Sequence, residues 1–304
     1  METVLKTTNL SKRFGKKYAV ENVSISVARG DIYGFIGENG AGKTTVMRMV
    51  CGLASPSSGE ISLFGSSQLN EQRKKMGSTI ENPALYPNLT AYENMEAQRL
   101  LLGIKEKNII EELLELAGIS ATGRKKAKDF SLGMKQRLMI ALSLLGSPDF
   151  LVLDEPTNGL DPMGIKEVRD FMYRLNEARG ITILVSSHIL GELEKIATRY
   201  GVISHGKIVD EFNSDELVKR CSKNLVLHTS DFEKTKMLLQ ENYPNVTYQR
   251  RPDFSIALEG MTEEAAKINY LLNTNGVMVD ALIPEGENLE DHFLRLMRGA
   301  QGNV

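Results

Sequence analysis

The sequence predicts an α/β fold, a mostly parallel sheet with flanking helices, followed by a small α+β domain. Three observations predict it. Two apolar runs, Phe150–Leu153 and Ile181–Val185, have the composition of strands buried on both faces of a parallel sheet. A third apolar stretch, with Ile32, Tyr33, Phe35 and Ile36, leads into the loop Gly37-Glu38-Asn39-Gly40-Ala41-Gly42-Lys43-Thr44. Apolar positions Val46, Met47, Met49 and Val50 then follow at helical spacing. Beyond about residue 222 the pattern changes to short segments in the order β-α-β-β-α-β.

Near the N-terminus, Val23, Ile25 and Val27 alternate with polar neighbours, as half-buried strands do, and Arg29-Gly30-Asp31 turns the chain toward the loop. Pro56 and Gly59 mark a turn before a short strand, Ile61–Phe64. From about Thr90 to Ser147 the pattern is helical. Ile109, Ile110, Leu113, Leu114, Leu116 and Ala117 share one helix face there, and Gly118 stops it. Val202–Ser204 and Lys207–Val209, joined at His205-Gly206, read as a hairpin. In the last segment, strands Leu225–Leu227, Val246–Gln249, Ser255–Leu258 and Val277–Leu282 alternate with helices through Met237 and Leu238 and through Ala266 and Ile268. A terminal helix with Leu289, Phe293, Leu294, Leu296 and Met297 on one face follows.

The glycine-rich loop has the P-loop spacing, two glycines five apart and then Lys and Thr, in strand–loop–helix context. Glycines let the backbone approach a polyphosphate, so that successive N–H groups and the positive helix terminus face it. Gly37, Asn39, Gly40, Ala41, Gly42 and Thr45 are therefore candidate nucleotide contacts. Lys43 can reach the outer phosphates, and the Thr44 hydroxyl can ligate Mg²⁺. Phe150–Leu153 ends in Asp154-Glu155-Pro156. A buried strand that delivers Asp154 beside the phosphates supplies a second Mg²⁺ ligand. Glu155, one residue further, is the candidate general base for an attacking water.

Upstream of that strand, Phe130-Ser131-Leu132-Gly133-Met134-Lys135-Gln136-Arg137 resembles the signature motif of ATP-binding-cassette (ABC) ATPases. That motif is usually Leu-Ser-Gly-Gly-Gln, and Leu132 and Met134 replace its third and fifth residues. The resemblance implies that Ser131 and Gly133 touch the γ-phosphate of ATP held by an opposite subunit. Taken alone, the segment is also an ordinary serine helix cap. Gly159-Leu160-Asp161 resembles the D-loop, and Ser186-Ser187-His188 the switch region, which implies that His188 reaches the γ-phosphate. The family stacks an aromatic on adenine; Phe14 is the candidate, Tyr18 the alternative, and a core role stays open for both. No Asn-Lys-x-Asp guanine-reading motif is present. The resemblance covers about residues 4 to 218. It implies a P-loop NTPase of ABC type across 1–218: a RecA-like core, an antiparallel β subdomain and a helical subdomain, with ATP and Mg²⁺ as cofactors. Residues 219–304 form the α+β accessory domain, either a dimer-stabilising appendage or a regulatory element.

One departure from the family pattern is informative. Where ABC ATPases usually carry Gln, the run Ser78-Thr79-Ile80-Glu81-Asn82 places Glu81. With Leu85-Tyr86, Leu89-Thr90-Ala91 and Asp31-Ile32-Tyr33-Gly34-Phe35, this variant resembles the ATPase subunits of bacitracin and lantibiotic self-protection exporters. Glu81 still offers Mg²⁺ an oxygen but adds negative charge near the phosphates; a neutral polar substitution is the other reading. The implied function is ATP hydrolysis that powers export of, or immunity to, antimicrobial peptides through a separate transmembrane permease. Two cassettes would form a homodimer around sandwiched ATP. The alternatives are a general drug or ion exporter subunit and a non-transport ABC ATPase. The latter usually carries a coiled-coil insertion or a second cassette, and neither occurs here.

Composition sets the outer limits. The 304 residues suit about two domains. A net charge of −2 gives no global field toward nucleic acid or anionic membrane, so no nucleic-acid partner is expected. No apolar run approaches the ~20 residues that span a bilayer, and the N-terminus lacks a secretory apolar region. The expected location is cytoplasmic, peripheral on the inner membrane face through the permease. Cys51 and Cys221 lie far apart without metal-ligand spacing, which fits a reducing compartment.

Overall fold

The computed structural model describes residues 2–80, 85–220 and 224–285. They divide into two compact units, one running to Ser214 and the other from Asp215, slightly ahead of the expected residue 219.

The first unit opens with β1 (Thr3–Phe14), β2 (Lys17–Val23) and β3 (Ser26–Ala28), then β4 (Ile32–Ile36), α1 (Lys43–Val50) and β5 (Ser58–Leu63). β2, β3 and β5 each pair antiparallel with β1. Next come α2 (Leu69–Arg73), β6 (Met76–Thr79), α3 (Ala91–Leu101), α4 (Asn108–Leu116) and α5 (Leu132–Ser143). β7 (Phe150–Leu153), α6 (Pro162–Arg179), β8 (Thr182–Ser187), α7 (Leu190–Leu193), β9 (Arg199–Ser204) and β10 (Lys207–Asn213) complete the unit. A second sheet has the order β10-β9-β4-β8-β7-β6, parallel apart from the β9–β10 hairpin at its edge.

Burial explains this order. Every residue of β4, β7 and β8 is buried, as central parallel strands require. α1 joins the two sheets: Val46, Met47, Met49 and Val50 share one apolar cluster with Leu5 and Leu10 of β1 and with Phe35, Val152 and Leu184. Each such side chain contributes about 1.5–3 kcal/mol when fully buried. α3, α4 and α5 pack on one another as the helical layer. α3 starts at a capping box, in which Thr90 Oγ1 accepts from Glu93 N (3.1 Å) and Glu93 Oε2 accepts from Thr90 N (2.6 Å). α4 buries Ile110, Leu113 and Leu114, the face its periodicity predicts.

α8 (Ser214–Arg220) begins at the boundary between the units. The second unit follows the expected order: β11 (Asn224–Thr229), α9 (Phe232–Asn242), β12 (Tyr248–Arg250), β13 (Ile256–Glu259), α10 (Ala265–Thr274) and β14 (Val279–Glu285). Its antiparallel sheet runs β12-β13-β11-β14, the split βαβ arrangement. β12 starts later than its apolar pattern, because Val246 N turns back to the Tyr243 carbonyl (3.1 Å). Leu225, Leu227, Leu239, Ile256, Leu258 and Ile268 form this unit's own core.

Glu81, Cys221 and the terminal helix expected through Leu289 and Phe293 lie outside the described residues. Burial pushes the Cys51 thiol up to about 11, so it stays protonated at neutral pH and behaves as a small apolar group. Among the described residues, no helix is long and apolar enough to cross a membrane.

Candidate functional site

Parallel sheets collect ligands at the carboxyl ends of their strands. β4, β8 and β7 are neighbours, and their ends deliver the loop Gly37–Gly42, the pair Ser186-Ser187 before His188, and Asp154-Glu155 to one place.

Two glycines shape the loop. A Cβ on Gly37 would stand 2.3 Å from the Ile203 carbonyl oxygen, and one on Gly42, at φ 114°, would stand 2.8 Å from that of Ala19. The β9–β10 hairpin clamps the loop from outside. Gly206 N donates to Ala41 O (2.9 Å), and Gly206 O accepts from Glu21 N (2.8 Å). The pocket so enclosed is lined by Asn39, Gly40, Gly42, Lys43, Thr44 and Thr45, with Ala19, Glu38 and Glu155.

Lys43 is buried, and a buried ammonium needs partners. Its Nζ donates to Gly37 O (2.6 Å) and Glu38 O (3.2 Å), and stands 3.0 Å from Glu155 Oε1. That carboxylate oxygen makes no well-aligned hydrogen bond, so it meets Lys43 as a charge. Thr44 Oγ1 donates to Asp154 Oδ2 (2.7 Å). Ser186 Oγ donates to Asp154 Oδ1 (2.7 Å) and accepts from Glu155 N (2.8 Å). Glu155 has φ 48°, a left-handed conformation that costs a non-glycine residue about 1–3 kcal/mol, and the Ser186 bond helps to hold it. Glu155 Oε2 lies 2.7 Å from His188 Nδ1. A carboxylate only accepts, so Nδ1 carries the proton in this pair.

A second pocket shares Ala19 and Gly40 with the first and is edged by Phe14, Lys17, Tyr18, His205 and Gly206. Phe14 is 58% exposed and Tyr18 47%, so neither serves the core.

Ser131, Gly133 and Asp161 stand apart. Ser131 caps α5, accepting from Met134 N (3.3 Å), and Asp161 caps α6, accepting from Gly164 N (2.9 Å). Gly133 packs against Gly164, whose Cα would lie 3.5 Å from an added Cβ. Among the described residues, no hydrogen bond or ion pair joins these three to Lys43, Thr44, Asp154, Glu155 or His188.

A family model described as ABC transporter matches residues 20–158. A bacitracin transport ATP-binding protein of Bacillus licheniformis is 42% identical over 302 residues, 98% of this chain and 99% of that one. The chain belongs to the ABC transporter ATP-binding family. A lantibiotic transport ATP-binding protein of Streptococcus pyogenes is 43% identical over 235 residues, 77% of this chain and 100% of that one. A solved dimeric post-hydrolysis ATP-binding cassette, bound to ADP and Pi, superposes with a TM-score of 0.62 at 25% identity, covering 69% of this chain and 98% of that one. This ABC transporter ATPase is thus an ATP-binding enzyme whose hydrolysis is coupled to transport.

Several residues around the ATPase site escape the sequence reading. Ser186 enters it only as part of a motif, yet it holds both Asp154 and the Glu155 amide. His205 edges the second pocket from the hairpin tip. Thr157 Oγ1 donates to Glu192 Oε2 (2.5 Å), and neither residue stands out in the sequence. Glu192 lies in the short helix α7 (Leu190–Leu193), past the bend at His188, and nothing in its local spacing marks it.

Proposed function

We propose that this ATPase powers export of, or immunity to, antimicrobial peptides of the bacitracin or lantibiotic class through a separate membrane permease. The convergence of Lys43, Glu155 and His188 on the P-loop pocket is the observation that carries the hydrolytic part. The peptide class is supported by bacitracin transport relatives that match nearly the whole chain, second unit included.

Gly37, Asn39, Gly40, Ala41, Gly42 and Thr45 cradle the phosphates with backbone N–H groups and side chains. Lys43 exchanges Glu155 for the outer phosphates, which frees the carboxylate. Glu155 then accepts a proton from the water whose oxygen attacks the γ-phosphorus as the bond to the ADP oxygen breaks. His188 keeps Nδ1–H on Glu155 and brings the far side of its imidazole to the γ-phosphate. Phe14 or Tyr18 stacks on the adenine.

The donor set fits Mg²⁺. The Thr44 hydroxyl and Asp154 carboxylate oxygens meet at 2.7 Å, hard donors suited to an ion that takes its other ligands from water and phosphate. Glu81 is proposed as a further oxygen ligand, through its place in the family pattern. Bound there, the ion supplies neutralisation of phosphate charge.

Ser131 and Gly133, with Asp161 beside them, serve a second copy of the chain, in a head-to-tail homodimer with ATP at each junction. The dimeric cassette structure bound to ADP and Pi supports this arrangement. The permease docks on the α3 region, where Tyr86, Tyr92, Leu100 and Leu101 expose apolar surface, and so keeps the ATPase on the cytoplasmic membrane face.

The test is the minimum inhibitory concentration of bacitracin and several lantibiotics in the source cell. Deletion of the gene is expected to give hypersensitivity that the normal chain rescues and Glu155→Gln does not. Unchanged resistance across the panel would remove the peptide assignment and leave general drug or ion export in its place.

A further inference from the structure

Glu192 is buried, and the proposed hydrolysis gives it no part. Its Oε2 accepts from Thr157 Oγ1 at 2.5 Å and lies 3.1 Å from Ser187 Oγ. Thr157 and Ser187 are buried as well. Thr157 sits in the turn that leaves Glu155, where Asn158 N donates to Glu155 O (3.1 Å) and Leu160 N to Thr157 O (3.2 Å). Ser187 immediately precedes His188, and its hydroxyl also accepts from Ile189 N (3.0 Å). The carboxylate therefore bridges the two segments that carry the hydrolytic pair.

Backbone pairing of β7 with β8 ends at Leu153 and Val185. Ser186 ties the strands once more, through Asp154 and the Glu155 amide. Past that point, among the described residues, the side-chain ties between the two segments are the Glu155–His188 contact and the Glu192 carboxylate, which accepts from Thr157 on one segment and from Ser187 on its own. Glu155 holds an unfavourable φ, which persists only where the surroundings fix it. We propose that Glu192 is a positioning residue for ATP hydrolysis, a buried clasp that keeps the Glu155 turn and the His188 segment aligned. The proposal rests on the reading of Glu155 and His188 as the hydrolytic pair. Glu192 acts through them and touches no phosphate, so its loss changes turnover and leaves nucleotide affinity in place.

Steady-state ATPase kinetics of the purified full chain test this, with ADP binding and thermal melting as controls. The set comprises wild type, Glu155→Gln, His188→Ala, Glu192→Gln, Glu192→Ala, Thr157→Val and the double variant Glu192→Ala/His188→Ala. Glu192→Ala is expected to lower kcat about 10–100-fold, as a small misplacement of reacting groups does, with KM for ATP within about twofold. Glu192→Gln keeps an acceptor for Thr157 and is expected to recover part of that loss. The double variant is expected to be no slower than His188→Ala alone, because the two residues act as one unit. Unchanged kcat in Glu192→Ala, or a loss that multiplies with that of His188→Ala, would overturn the clasp. Should Glu192→Ala fail to fold, Thr157→Val opens the same clasp from the other side, and wild-type kcat in that variant would overturn it equally. If Glu155→Gln and His188→Ala themselves turn over at the wild-type rate, the hydrolytic pair is wrong and the clasp falls with it.

Discussion

The P-loop half of the site and the signature half differ in what their polar groups hold. At the P-loop, Lys43, Thr44, Asp154, Glu155, Ser186 and His188 are bonded to one another across the ends of three strands. At the signature, among the described residues, Ser131 and Asp161 accept only from backbone N–H groups of their own helices. Leu132, between the matching Ser131 and Gly133, is 47% exposed. The first half is preassembled within one chain. The second is a helix terminus, with N–H groups suited to an anion, whose phosphate the account assigns to another molecule.

That contrast can be broken or sharpened by substitution. The largest effect is expected from Glu155→Gln, which removes the base and the charge paired with Lys43. Turnover should fall about 10²–10³-fold, by analogy with loss of an oxyanion donor, while ATP still binds; a phosphate-release assay beside a binding isotherm checks both. Ser131→Ala comes next. Loss of a hydrogen bond to a charged group is worth about 1.5–3 kcal/mol, so each of the two ATP junctions of the dimer should weaken by about one to two orders of magnitude. ATP binding to the monomer, measured at low protein concentration, should not change. Equal weakening of both would place the two halves in one chain's site.

Gly37→Ala tests the preassembled half through its backbone. The added Cβ meets the Ile203 carbonyl at 2.3 Å, and overpacking of this kind costs about 1–3 kcal/mol. Lower Tm together with weaker ADP binding is expected, whereas a change in Tm alone would separate loop shape from nucleotide affinity. The smallest effect belongs to Asp161→Ala. It removes a helix cap worth about 1 kcal/mol and should lower Tm slightly with ADP affinity intact.

The same contrast governs what could be read in advance. The P-loop is legible because its chemistry lies in consecutive residues, and Asp154-Glu155 because an apolar strand points at them. The order of the second unit is legible because each element carries its own apolar period and a turn residue between neighbours. Its sheet order is not, since β11 pairs with β13 and β14 through contacts far apart in sequence. Ser186 and Glu192 are hidden for a related reason. Their partners Asp154 and Thr157 belong to another strand end, and only the β7–β8 register brings them within reach. The clamp of Gly206 on Ala41 is equally non-local, although the hairpin that carries it is plain in the sequence. Ser131 is the opposite case: its helix cap is legible from the sequence, but its proposed phosphate contact rests on the resemblance.

The most direct test of the two-chain site is the mass of Glu155→Gln by sedimentation, with Mg-ATP, with Mg-ADP and without nucleotide. The account predicts a dimer with ATP and monomers in the other two conditions, with the ATP dimer lost again when Ser131→Ala is added. Saturating ATP on a chain that stays monomeric would contradict it, because a single chain would then complete its own γ-phosphate contacts.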